Sequence, residues 1–483
     1  MSTSRRTHRR LRLGIAAAAV VTSVSVLAPT ALHAAVNTDW TGYEHGPAHS
    51  NAQFNDTAIT PANVAGLHAV WSFTAAKVTK AGAPGPGFDG SPTVANGKVY
   101  IGSRTGLFYA LDATTGAVAW KKQLDFGSGT ICSAKGIIAT ASVAADPVSG
   151  VMTVYAPGAH FLYALDAATG TQIWKVAIGP ATADGSARWY NYASPTVVGG
   201  KIYMGLAANC DNTKIRGGGV QVDQHTGKVL HTFYAVPAGV VGPSVWSSMA
   251  GDGTSVWMTT GNPDPSSMLV YDAFSIVRLS ATTFAKQEKW TTSTPLADDL
   301  DFGSSPTFFS ATLAGTATDM IGACNKNGIY YAWKRMSLAA GPVWQRQVGA
   351  VGGTGNGACI TSAAYDGPSG KLFVAANQTT INGAAVQGSI RALDPATGAT
   401  VWESALQCLP NGSPTVNATT HVVAVPLYSC LGSNQPGVSF FDAQTGALLR
   451  TITTTKPVFA QPVFANGKVF IADESGVLKA YAP

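Results

Sequence analysis

Three stretches of this chain hold residue types that could do chemistry. The first is Val245-Trp246-Ser-Ser-Met-Ala-Gly-Asp252, running on to Thr260-Gly261-Asn262-Pro263; the second is Asp298-Asp299-Leu-Asp301-Phe302-Gly303; the third is Cys324-Asn-Lys326-Asn327-Gly328-Ile-Tyr330. Each has an ordinary reading. Trp246 can fill a channel, Asn262 can cap the turn before Pro263, the acids can form a solvated loop or bind calcium structurally, and a lysine beside Asn-Gly can simply be exposed. The familiar catalytic signatures are absent. The nine His are scattered without metal-ligand spacing, no G-x-S-x-G elbow occurs, and there is no C-x-x-C-H for covalent c-type haem. Gly353-Thr-Gly355-Asn-Gly357 follows no strand–helix pattern and reads as a loop rather than a phosphate cradle.

The elements that must position these residues announce themselves by repetition. Tyr109-Ala-Leu-Asp112-Ala-Thr-Thr-Gly116-Ala-Val-Ala-Trp120 returns as Tyr163-Ala-Leu-Asp166-Ala-Ala-Thr-Gly170-Thr-Gln-Ile-Trp174. Weaker copies stand at Asp223 with Gly227, Asp394 with Gly398 and Trp402, and Asp442 with Gly446; the first three Asp lie 54 and 57 residues apart. Each copy is a strand, a tight turn and another strand, in which Asp can bond the turn's backbone and Gly can supply a positive φ. Upstream of most copies lies a second strand pair, such as Ser91 to Ile101 around Asn96-Gly97, a strong hairpin signal. Four-stranded units at a fixed period of this size read as propeller blades.

Counting gives blades at about 88–124, 130–178, 190–236, 244–293, 303–349, 357–406 and 411–455, with 460–483 supplying three further strands. Ala69-Val-Trp71-Ser-Phe73-Thr has the expected Trp and no companion strands, so it is expected to complete the last blade. The prediction is an all-β, eight-bladed propeller of four-stranded antiparallel blades over 35–483, closed by an N-terminal strand. Abundant Gly (53) and Pro (26) and only 12% charged residues agree with it.

Residues 1–34 read as a cleavable export signal: five Arg precede an apolar run from Leu13 to Leu27, then Ala31-Leu-His-Ala34-Ala35. Both the general and the twin-arginine export routes stay open. The run is short for a membrane span, so the mature chain is expected to be secreted and soluble. Most of the formal charge of +6 belongs to this leader, and the near-neutral body gives no electrostatic case for nucleic-acid or membrane partners. An even cysteine count in an exported chain favours disulfides: Cys408 with Cys430 first, then Cys324 with Cys359, and Cys132 with Cys210 by remainder, against the alternative of free buried thiols.

The repeat with its Ala-Leu-Asp-x-x-Thr-Gly-x-x-x-Trp phrase resembles the blades of the quinoprotein dehydrogenases, propellers that hold pyrroloquinoline quinone (PQQ) on the axis of one face. Non-enzymatic propellers, including outer-membrane assembly proteins, carry similar repeats. The resemblance implies that Trp246 forms the floor under the quinone and that Asn262 ligates Ca²⁺, a hard cation suited to an amide oxygen. It makes Asp301 the catalytic base and a metal-side carboxylate, and places Lys326 at the quinone oxygens, where it would stabilise negative charge. An alcohol would lose its proton to Asp301 and hydride to the quinone, with an unidentified electron acceptor and no haem c.

Two departures stand out. No adjacent Cys-Cys pair exists, and the family's calcium-binding Glu is matched by Asn212, with Asp211 beside it, before Arg216-Gly217. An anionic ligand is therefore shifted by one residue or lost. Among quinoproteins the chain is most similar in appearance to polyvinyl alcohol dehydrogenase-like proteins, through Asp39-Trp40, Asn63 to Leu67, Trp71-Ser-Phe73 and Asp301 to Pro306. That implies a secondary or polymeric alcohol. The competing expectation is a binding or scaffold propeller that keeps the shell without the cofactor.

Overall fold

A D-x-x-T-G turn can close a hairpin but cannot bury either face of the sheet it joins, and the solution the chain adopts is a ring. The computed structural model describes residues 1–3, 38–78, 84–126, 136–179, 189–211, 214–264, 269–293, 299–350 and 357–483. The proposed leader beyond residue 3, Cys132, Asn212, Asp298 and most of the Gly353–Gly357 loop lie outside the described residues. Residues Thr38–Pro483 form one compact unit. It consists of eight antiparallel blades: 93–123, 142–177, 196–234, 250–291, 307–347, 364–406, 415–453, and 463–482 completed from the N-terminus. No helix among the described residues is long and apolar enough to cross a membrane.

Closure follows the expected scheme. His68–Thr74 pairs antiparallel with Val477–Ala482, Trp71 lying opposite Ala480. Apolar clusters fill every blade–blade interface, the one between blades 8 and 1 included, where Trp71, Phe470 and Leu478 meet Val99, Tyr109 and Leu111. With both faces of each sheet buried, no blade is left with a free face.

The repeated phrase is explained by a contact between blades. Asp166 Oδ1 accepts from the backbone N–H of Ala168 and Thr169 and from the Thr169 hydroxyl, at 2.9, 2.8 and 2.9 Å. Gly170 follows at φ +73°, and a Cβ there would lie 2.7 Å from the ring of Trp120 in the preceding blade. The Trp120 indole N–H donates to the carbonyl of Ala167 at 3.1 Å. Trp71 caps the Asp112 turn, Trp344 the Asp394 turn and Trp402 the Asp442 turn in the same way. Each Trp therefore belongs to the turn of the next blade, which is why Asp, Gly and Trp recur together.

The segment before the closing strand does more than lead to it. Backbone groups from Trp40 to Asn51 hydrogen-bond in turn to the innermost strands of blade 1 (Val94), blade 2 (Val143), blade 4 (Gly251), blade 5 (Phe308), blade 6 (Tyr365) and blade 7 (Val416). This belt lines the ring from inside and buries Glu44, His49 and Asn51 on the axis. Those three residues hold positive φ values of 55°, 51° and 53°, a conformation non-glycine residues keep only where the surroundings impose it.

Candidate active site

In an antiparallel four-stranded blade, the link into the innermost strand and the turn between the second and third strands emerge on the same face. Trp246 lies on the link from blade 3 to blade 4, and Asp299 and Asp301 on the link from blade 4 to blade 5. Asn262 and Lys326 lie between the second and third strands of blades 4 and 5. Four loops thus bring the candidates together on one face, where Trp246 and Lys326 line an axial cavity.

The side chains meet there. The Trp246 indole N–H donates to Asp301 Oδ2 at 2.9 Å, and Lys326 Nζ stands 2.6 Å from Asp301 Oδ1. Lys326 Nζ also donates to Asp299 Oδ1 at 2.8 Å, and the same oxygen accepts from Asn262 Nδ2 at 2.7 Å. Lys326 sits 5.2 Å from the centre of the Trp246 ring. The turn lysine that could have been exposed is 8% exposed, and Asp301 only 2%.

Glycines make the close approaches possible. A Cβ on Gly261 would fall 2.7 Å from the Ser244 carbonyl and 3.1 Å from Asp301 Oδ2; one on Gly303 would fall 2.8 Å from the Trp246 ring edge. Gly357, at φ +58°, backs the Lys326 stem, where a Cβ would lie 2.4 Å from its Cγ. Backbone bonds fix the two blade 5 segments together: Lys326 N–H donates to Asp301 O at 3.0 Å, and Phe302 bridges Asn325. The disulfide Cys324–Cys359 ties the strand leading to Lys326 to the link into blade 6, and Cys408–Cys430 spans two strands at blade 7. Cys210 is also disulfide-bonded, and its expected partner Cys132 lies outside the described residues.

Burial dominates the electrostatics of Asp301 and pushes its pKa up to about 6, against the pull of the Lys326 charge and the indole hydrogen bond. Lys326 is desolvated too, but Asp301 and then Asp299 outweigh that and raise its pKa, so it stays protonated. For Asp299 burial is outweighed by Lys326 and the Asn262 amide, and its pKa falls. With both acids ionised, two carboxylates face one ammonium and the cluster keeps one net negative charge. Asn262 Oδ1 is buried with no hydrogen-bond partner. An orphaned amide oxygen beside surplus negative charge suits a hard cation, and a half-buried indole beside it suits a flat ring. The residues present therefore fit both Ca²⁺ and PQQ. Asp211 lies in a short 3-10 turn, Asn209–Asp211. Among the described residues, no three His, Cys, Asp or Glu side chains cluster as a metal site.

The cavity measures about 400 Å³ and is lined by Trp246, Lys326, Tyr43, Ser305 and Ser413, with Arg104 on the opposite wall. Arg104 there bridges Asp89 and Glu474, 2.6 Å from each. A hydroxyl ring encircles the axis, each backbone N–H donating to the hydroxyl of the next blade. The chain runs Gln461 to Ser91, Thr140, Ser194, Ser248, Ser305, Ser362 and Ser413, with distances from 2.8 to 3.0 Å.

Residues 40–344 match the family described as glucose/ethanol/alcohol dehydrogenase, β-propeller domain (PQQ). The chain belongs to this family. Residues 386–482 match a second propeller family, described as outer membrane protein assembly factor BamB. A polyvinylalcohol dehydrogenase of Sphingopyxis sp. (strain 113P3) is 24% identical over 92% of this chain and 74% of its own length. A polyvinylalcohol dehydrogenase of Pseudomonas sp is 28% identical over 49% of this chain, which spans only 36% of that relative. The quinohemoprotein alcohol dehydrogenase of Comamonas testosteroni superposes with a TM-score of 0.74 at 18% identity, covering 92% of this chain and 80% of that one.

Within this family fold, sequence reasoning missed the part of Asp299, the oxygen that joins Asn262 to Lys326. It also missed the hydroxyl ring, although Ser-Pro-Thr recurs at Ser91, Ser194, Ser305 and Ser413. Glu44 and His49 gave no signal, because neither stands in a repeat.

Proposed function

We propose that this chain is an exported, PQQ- and Ca²⁺-dependent dehydrogenase that oxidises an alcohol. The observation that carries the reading is the joining of Trp246, Asp301, Lys326 and, through Asp299, Asn262 into one contact cluster, from which Trp246 and Lys326 reach the axial cavity. Trp246 would hold PQQ, and Asn262 with Asp301 would hold Ca²⁺, with Asp211 or the aligned Asn212 as further metal ligands. When bound, the pair supplies a metal-polarised two-electron acceptor for hydride.

The chain's own residues supply the rest. Asp301 is the base: its carboxylate takes the hydroxyl proton of the alcohol, and its elevated pKa makes it a competent acceptor while leaving it ionised at neutral pH. Lys326 holds that carboxylate in place and offers a fixed positive charge where negative charge develops. The indole N–H of Trp246 occupies the other Asp301 oxygen and so fixes the carboxylate's orientation. Burial keeps bulk water from competing for the proton. A secondary or polymeric alcohol is the substrate class that the named relatives suggest.

The test is a PQQ titration with and without Ca²⁺, followed by dye reduction across primary, secondary and polymeric alcohols. Binding that needs Ca²⁺, with turnover of one class, supports the reading; no binding and no turnover sink it. A second reading, a cofactor-free binding or scaffold propeller, draws on the match of residues 386–482 and on Asn212 standing where an anionic ligand is expected. It expects no PQQ-dependent rise in melting temperature, because only a ligand of the folded state raises it.

A further inference from the structure

The dehydrogenase reading uses blades 4 and 5 and leaves unexplained a second set of titratable groups on the axis. Glu44 is 0% exposed and His49 1%. The only ion-pair partner of Glu44 among the described residues is His49, whose Nδ1 stands 3.5 Å from Glu44 Oε2. A carboxylate buried this deeply without a fixed cation is costly, and proteins avoid the cost by keeping such a group protonated. Burial raises the Glu44 pKa to about 8 and lowers that of His49 to about 3.

The surroundings are built for a proton. The His49 ring donates to the Pro306 carbonyl, and its Nδ1 has no hydrogen-bond partner, so a lone pair faces Glu44 Oε2, which is also without one. The Ser413 hydroxyl donates to Glu44 Oε1 at 3.3 Å. Tyr43, half-buried, interacts with Glu44, Ser413 and Ser305. Ser362 and Asn51 complete the circle around Glu44, and Tyr330 is the other titratable side chain that feels its charge.

Position gives this cluster a task. Each innermost strand starts at the hydroxyl ring and runs away from the large cavity. Beyond the ring lies a smaller cavity of about 100 Å³, lined by Thr41, Tyr43, His49, Ser142 and Thr196. Tyr43 lines both cavities and His49 the smaller one, and Glu44 is buried between its chain neighbour Tyr43 and the His49 ring. We propose that Tyr43, Glu44 and His49 form a proton path along the propeller axis, connecting the cavity of Trp246 and Lys326 to the small cavity beyond the hydroxyl ring.

Only protons move along this path. Glu44 gives its proton to His49 Nδ1, and the carboxylate so formed stabilises the charged ring. Tyr43 passes its proton to Glu44 as it takes one from water in the large cavity, and His49 gives one proton up to water in the small cavity, so that no tyrosinate, alkoxide or charged ring is left behind. One bond to hydrogen breaks and one forms at each transfer, and a closing of a few tenths of an ångström brings the Glu44–His49 pair to hydrogen-bond distance. The purpose rests on the dehydrogenase reading, in which each turnover releases protons into the large cavity.

Infrared spectroscopy of the full chain tests the path without cofactor. A protonated carboxylic acid C=O band that vanishes in Glu44→Gln identifies the group, and its shift on transfer to D₂O reads the exchange rate. Fast exchange in the wild type, slowed at least about tenfold in Tyr43→Phe, which keeps the ring and loses only the hydroxyl, is the expected result. No Glu44 band, or exchange equally fast in Tyr43→Phe, overturns the path. With PQQ and Ca²⁺ loaded, Tyr43→Phe should enlarge the solvent isotope effect on turnover; an unchanged isotope effect counts against the path. Failure of the wild type to bind PQQ or turn over would instead strike the dehydrogenase reading and leave the exchange result standing.

Discussion

Asp166 in blade 2 and Asp301 between blades 4 and 5 are the same residue put to opposite uses. Asp166 faces solvent and is held by two backbone N–H groups and a threonine hydroxyl, donors that come with the turn itself. Asp301 is sealed from water and held by an indole and a lysine from other loops, contacts that exist only because two blades meet. A local motif satisfies the first carboxylate and leaves it nothing further to do. The second keeps a raised pKa and a partner it can exchange for a proton. The repeated Asp turns spend their carboxylates locally, whereas the Asp299–Asp301 segment directs its acids to Trp246, Asn262 and Lys326 on other loops.

The sharpest way to break this contrast is to neutralise both aspartates. Asp301→Asn should lower turnover of the PQQ- and Ca²⁺-loaded protein by about 10³-fold, within the range a positioned base contributes, while PQQ binding persists. Asp166→Asn should leave turnover unchanged. A fall in rate with Asp166→Asn, or retained activity with Asp301→Asn, would erase the distinction.

Lys326→Met comes next and reads pH as well as rate. Asp301 works as a base only when ionised; burial puts its pKa at about 6 without the metal, and Ca²⁺ beside it would favour the ionised form, so the rate should rise with pH at or below about 6. Removing Lys326 removes the charge that opposes burial, so the Asp301 pKa rises further and the acid limb of the profile moves to higher pH. The loss should be about 10²-fold near pH 6 and shrink toward about tenfold at alkaline pH, where Asp301 ionises in both proteins and the remaining deficit reads Lys326's own stabilisation of charge. An acid limb that stays in place would show that Lys326 does not set the Asp301 charge.

The same contrast decides what could be read from the sequence. The ring, its closure and two disulfides were legible because each depends on a local signal: Asp and Gly at fixed offsets, Asn96-Gly97, a Trp without companion strands, cysteines near one another in chain. Trp246, Asn262, Asp301 and Lys326 were singled out through family resemblance, since nothing in their own spacing brings four loops together. Asp299 escaped because its neighbours Asn262 and Lys326 are 37 and 27 residues away. Glu44 escaped for a stronger reason. Its meaning is set by a belt that touches the inner strands of six blades, and no repeat records that route.

On the structural side, Trp120→Ala removes the ring that caps the Asp166 turn and its bond to Ala167. Loss of about 3 kcal/mol is expected in reversible unfolding, near the lower end for a large aromatic because Trp120 is only partly buried. The acid limb of the rate profile should not move. If it does, blade packing and site electrostatics are coupled, and the division between regular and site-bearing blades is weaker than drawn.

The last test lies where the repeat itself gives way. Blade 4 keeps the turn geometry but places Phe284 at φ +56°, where blades 1, 2, 3, 6 and 7 have glycine at φ between +69° and +77°. Two effects oppose each other in Phe284→Gly. Relief of a left-handed conformation should stabilise by about 1–2 kcal/mol. Against that, Phe284 is 3% exposed and stacks on Tyr203 at 5.8 Å, so its removal opens a cavity between blades 3 and 4 and costs about 3–5 kcal/mol. Packing should win, leaving the variant about 2 kcal/mol less stable. A more stable Phe284→Gly protein would mean that blade 4 carries strain its packing does not offset, and that the departure from glycine serves the neighbouring site rather than the ring.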